Sequence, residues 1–60
     1  MDIFKTFAEE IPEQGRQLRL KGSRTGWGEI NEYGDLEIYG GDTIEAGELP
    51  YECYIMWKYV

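Results

Sequence analysis

The chain has 60 residues, with twelve acidic and six basic side chains, one cysteine, no histidine and a formal net charge of −6. That length allows one domain, residues 1–60, and no run of about 18 apolar residues is present to span a membrane as a helix. The absent histidine and the solitary thiol leave no disulfide and no zinc ligand set, and the negative balance argues against direct binding to nucleic acid or anionic lipid.

Residues 2–11 read as a short helix. Ile3, Phe4, Phe7, Ala8 and Ile11 fall on one helical face, Asp2 stands at a capping position, and Pro12 and Gly15 end the run. The acids of this segment occupy the place where a secretory leader needs a basic start and a long apolar run, so a cytoplasmic protein is expected. A lone cysteine, Cys53, fits a compartment where thiols stay reduced.

Residues 17–21, QLRLK, alternate at strand period, and GSRTG after them reads as a turn. Residues 27–31 and 35–39 form an expected hairpin around NEYGD, with Gly34 at a positive-φ position. Residues 40–50 read as a loop punctuated by Gly40, Gly41, Gly47 and Pro50. Residues 51–59 alternate again, with Tyr51, Cys53, Ile55, Trp57 and Tyr59 on one face. The expected fold class is α+β, a short N-terminal helix packed on a small four-stranded antiparallel sheet. An SH3-like barrel with a helical prefix is the alternative. A domain this small buries only about 60% of its unfolded surface, and nine aromatic residues are the evident compensation. Trp57 is expected in the core, and Trp27, between Gly26 and Gly28, is expected to turn inward.

The charge is unevenly divided. Residues 1–26 hold five cations against four acids, and residues 27–60 hold eight acids against Lys58 alone. The eight are Glu29, Glu32, Asp35, Glu37, Asp42, Glu45, Glu48 and Glu52. If Ile30 and Leu36 oppose each other on the core face, Glu29 lies opposite Glu37 and Trp27 opposite Tyr39 on the other. Opposed carboxylates on a sheet repel. Carboxylates two apart on a strand are about 6.6–6.8 Å apart, which makes a regular negative row. The row suits a groove built for phosphates, with Tyr33 and Tyr39 supplying apolar contact. The bland reading of these acids is a solvated face that keeps a small domain soluble. Asp42, Glu45 and Glu48 recur every three residues but match no calcium loop, so no metal and no cofactor are assigned. Arg16, Arg19, Lys21 and Arg24 read as neutralisers of nearby acids or guards of a strand edge. No general base accompanies Ser23, Thr6, Thr25 or Thr43, so no enzyme activity is expected.

In size, charge layout, tyrosine content and lack of histidine, the whole chain resembles small phage-encoded inhibitors of the acidic, nucleic-acid-mimicking anti-CRISPR type. No motif carries this likeness, and the basic stretch at residues 16–24 departs from it. The resemblance implies a monomeric, non-enzymatic inhibitor. Its acidic sheet face would occupy the basic nucleic-acid-binding groove of a bacterial defence complex, such as a CRISPR effector, and block DNA recognition. An immunity protein or antitoxin covering a basic nuclease is one alternative. An accessory subunit whose acids only solubilise it is another.

Overall fold

The computed structural model describes residues 3–60 and is mostly β. Six strands, β1 (Lys5–Thr6), β2 (Leu18–Gly22), β3 (Gly26–Ile30), β4 (Leu36–Ile38), β5 (Thr43–Ile44) and β6 (Ile55–Tyr59), form one antiparallel sheet. Their order is β1-β6-β2-β3-β4-β5, an open half-barrel with β1 and β5 as its edges. A six-residue 3₁₀ helix, Ala46–Tyr51, lies in the crossing from β5 to β6.

Strand period decides which side is core. Leu18, Leu20, Ile30, Leu36, Ile38, Ile55 and Trp57 are buried on the inner face. Their neighbours Arg19, Lys21 and Glu37 are exposed on the outer face. The crossing from β5 to β6 passes over the inner face and inserts Leu49, while the turn after β1 inserts Phe7. Trp57 anchors this layer. Its ring lies 6.2 Å from Phe7 and 5.0 Å, edge-on, from Tyr59, and its indole N–H donates to the Glu10 carbonyl at 3.1 Å. Such ring pairs add about 0.5–1.5 kcal/mol beyond area burial. No polar or charged side chain is buried among the described residues.

The expected helix over residues 2–11 is not formed; Asp2 itself lies outside the described residues. Lys5–Thr6 instead pair with Met56–Trp57. The helical signal survives as one turn. The Thr6 N–H donates to Glu9 Oε1 at 3.1 Å, the Glu9 N–H donates to Thr6 Oγ1 at 3.2 Å, and the Glu10 N–H donates to the Thr6 carbonyl at 3.3 Å. This is a capping box with almost no helix behind it. A helix of ten residues is marginal in water. Pairing with β6 satisfies backbone groups that would otherwise form an open edge, and Pro12, itself buried, ends the turn. Of the five apolar residues assigned to a helical face, only Phe7 is buried, while Ile3 and Ile11 are exposed.

Two further expectations change. Residues 40–50 contain β5 and most of the 3₁₀ helix, and the last strand begins at Ile55, not at Tyr51. Cys53 therefore precedes the strand and is exposed instead of packed on its apolar face. The expected hairpin register holds: Ile30 opposes Leu36 and Glu29 opposes Glu37.

Candidate functional site on the outer sheet face

The outer face carries two charge regions side by side. On β3 and β4, the Asn31 N–H donates to the Asp35 carbonyl and the Tyr39 N–H to the Trp27 carbonyl, both at 2.9 Å. The Glu29–Glu37 pair lies between these two along the same ladder. It is therefore a hydrogen-bonded pair, with Cα atoms about 5.5 Å apart. Each carboxylate takes a neutral donor. Tyr39 donates its hydroxyl to Glu29 at 2.9 Å, and Asn31 Nδ2 donates to Glu37 at 3.0 Å. The bond to Glu29, with the negative potential of Glu29 and Glu37, raises the Tyr39 hydroxyl above the usual tyrosine range.

The β3–β4 turn extends this region. Asn31 Oδ1 accepts from the N–H groups of Tyr33 and Asp35, an Asx turn whose members Glu32 and Tyr33 are exposed. Asp35 accepts the Ala46 N–H at 2.9 Å, which brings Glu45 to the same end of the sheet. Five of the eight acids thus gather with Tyr33 and Tyr39 around β3, β4 and their turn. The other three do not. Asp42 is ion-paired with Arg24 at the opposite end of the sheet. Glu48 and Glu52 belong to the crossing over the inner face, and Glu52 is half-buried. No group of three potential metal ligands converges among the described residues.

The second region lies on β1, β6, β2 and the edge of β3. Arg19 faces Lys58 on one side and Trp27 on the other. The β1–β6 register, continued by one pair beyond Thr6 and Lys5, brings Phe4 opposite Lys58. Aromatic faces hold the cations: Arg19 is 5.3 Å from the Trp27 ring centroid, and Lys21 and Lys58 are 5.2 and 5.5 Å from that of Phe4. Trp27 is thus outward and 38% exposed, against the inward placement expected for it. Between Phe4 and Trp27 lies a cleft of about 280 Å³.

Neither protein-family models, nor curated proteins, nor solved structures give a match to this chain.

The basic stretch divides by role. Arg16 pairs with Glu13 at 3.6 Å and stacks on Tyr59 at 3.6 Å, and Arg24 pairs with Asp42. Arg19 and Lys21 have no carboxylate partner among the described residues. Phe4 and Lys58 are the members of the site that sequence reasoning missed. They come from opposite ends of the chain and meet only because β6 lies between β1 and β2. The alternation of YIMWKY does put Lys58 on the polar side of its strand, but nothing local ties that side to Arg19.

No helix among the described residues is long and apolar enough to cross a membrane.

Proposed function

We propose that this chain is a non-enzymatic binding protein whose β3–β4 acidic row docks in the basic, nucleic-acid-binding groove of a partner protein and blocks it. The partner type is the one implied by the resemblance to acidic inhibitors, a bacterial defence complex such as a CRISPR effector, met in the host cytoplasm. The observation that carries the reading is the opposition of Glu29 and Glu37 on the outer face. Like charges directly opposed on a sheet are destabilising, and neither carboxylate forms an ion pair among the described residues. A partner's arginines and lysines would relieve it on binding. Glu32, Asp35 and Glu45 widen the negative field, which speeds association, while Tyr33 and Tyr39 add contact area. Asp42, Glu48 and Glu52 take no part in this reading, because they lie away from the row or are already paired.

The test compares immobilised wild-type chain with the charge-reversed E29K/E37K variant, each exposed to nuclease-treated bacterial lysate and eluted along a salt gradient. Nucleic-acid-binding proteins are expected to stay on the wild type and leave at raised salt, because exposed charges are screened beyond about 8 Å at physiological ionic strength. The variant is expected to retain none of them. Equal retention on both surfaces would remove the acidic row from the interface.

A further inference from the structure

We infer that the cleft between Phe4 and Trp27 is a second binding site, and that its ligand is a short segment of single-stranded nucleic acid. Its phosphates would lie on Arg19 and Lys21, and a base would stack on Trp27. The site is independent of the acidic row, and the two assignments can fail separately.

Three observations carry the inference. First, the cations are arranged for an extended anion. Arg19 and Lys21 project from the same side of β2, about 6.6–6.8 Å apart along the strand, and Lys58 faces Arg19 from β6. Second, Arg19 and Lys21 make no ion pair among the described residues, in a chain with twice as many acids as cations. The carboxylate of Glu29, on the adjoining strand, takes the Tyr39 hydroxyl instead. Third, the aromatic rings of Phe4 and Trp27 line the same cleft as Arg19 and Lys21. Gly26, beside Trp27, has open space where a side chain would project, so a ligand can approach the backbone there.

The rings decide between ligand classes. An acidic peptide would use the cations and leave Trp27 exposed. A nucleotide uses both, because phosphate meets the cations while every base has a face to stack. The net charge of −6 counts against such a ligand only if it is uniformly spread. Here the acids lie on β3 and β4 and the free-facing cations on β2, so the field changes sign across the face. The acidic half limits the footprint to a few nucleotides.

The decisive experiment titrates the full chain with an oligothymidylate trimer at low salt, following tryptophan fluorescence. Trp57 is 1% exposed, so the response reports Trp27. Saturable quenching is expected, with a log–log salt slope of about −1.4, as about 0.7 counterion is released per phosphate on a single strand and the trimer's two phosphates engage Arg19 and Lys21. R19A/K21A, at two exposed positions, is expected to keep the fold and weaken binding at least about tenfold. E29K/E37K is expected to tighten it by removing repulsion. Absence of quenching, unchanged affinity in R19A/K21A, or loss of binding in E29K/E37K would each overturn the assignment. So would an octaglutamate peptide that competes as well as the trimer, since that outcome makes the cleft a carboxylate site.

Discussion

The two halves of the outer face are built in opposite ways. The acidic half is local. Glu29 and Glu37 are eight positions apart, joined by one hairpin, and the turn that links them carries Glu32, Tyr33 and Asp35. The cationic half is assembled from distant pieces. Phe4 and Lys58 flank Arg19 and Lys21 only because β6 inserts between β1 and β2. Both halves oppose like charges across neighbouring strands. Glu29 and Glu37 take neutral donors, Arg19 and Lys21 lie against ring faces, and no ion pair joins these two cations to these two acids among the described residues. A face optimised only for stability would interleave the two signs. Segregation costs stability on both sides, and what it creates is a surface that presents two potentials at once.

The largest expected effect tests the difference between distant and local assembly. Gly22, at the β2–β6 junction, has φ +112°, and a Cβ there would lie 2.1 Å from the Tyr54 carbonyl oxygen. Gly34, in the hairpin turn, has φ +85°, and its added Cβ would make only an ordinary contact with Ala46 at 3.5 Å. Gly34→Ala is therefore expected to cost about 1–2 kcal/mol, from the backbone alone. Gly22→Ala adds a backbone collision and is expected to cost at least about 3 kcal/mol. A domain of this size has only about 3–9 kcal/mol in total, so this variant should be largely unfolded. Urea denaturation of the two variants checks the ranking. If Gly22→Ala proves no worse than Gly34→Ala, the β2–β6 junction is looser than the structure has it.

The same difference explains what could be read in advance. The hairpin register followed from matching Ile30 to Leu36, because the turn is short and the alternation on both sides is clean. The outward direction of Glu29 and Glu37 came with it. The first strand was hidden because IFKTFAEEI satisfies helical periodicity as well as a capping box does, and only the unpaired edge of β6, some fifty residues away, tips the balance. β5 is two residues long, too short for alternation to register. The end of the chain misled in another way. YECYIMWKY alternates over its whole length, yet the Tyr51–Tyr54 part finishes the 3₁₀ helix and the crossing, so the pattern there reflects coincidence and not pairing. Trp27 defeated local reasoning because its glycine neighbours leave both directions open, and Arg19, its partner, lies across a strand boundary.

A smaller effect separates electrostatics from packing in the acidic half. E29Q/E37Q removes the repulsion and keeps an acceptor for both Tyr39 and Asn31. The double variant is expected to be more stable than wild type by about 0.2–1 kcal/mol at low salt. The gain should fade as ionic strength rises, because the Debye length falls to about 3 Å at 1 M. Thermal melts at low and high salt check both parts. A variant less stable than wild type at low salt would mean that the carboxylates are held by interactions that an amide cannot replace, and the row would then be structural.

The smallest effect lies in the titration of Tyr39. Its hydroxyl donates to Glu29, and that bond, with the field of Glu29 and Glu37, favours the protonated form. The folded chain therefore holds this proton more tightly than the unfolded chain does. The linked stability is fully present below the ordinary tyrosine pKa, about 10, and is lost as pH rises through the higher folded value. Tyr33, exposed at the adjoining turn, is the control position for substitution. Tyrosinate absorbance of Y33F and Y39F, compared with wild type, assigns the late-titrating group. The late component is expected to vanish in Y39F and persist in Y33F. Glu29→Ala should bring it back toward the ordinary range, because both the acceptor and the nearer negative charge are gone. E29Q should bring it part of the way, keeping the acceptor without the charge. If both substitutions leave the late component unmoved, the field on this half of the face is weaker than the opposed carboxylates require, and the contrast with the cationic half loses its electrostatic basis.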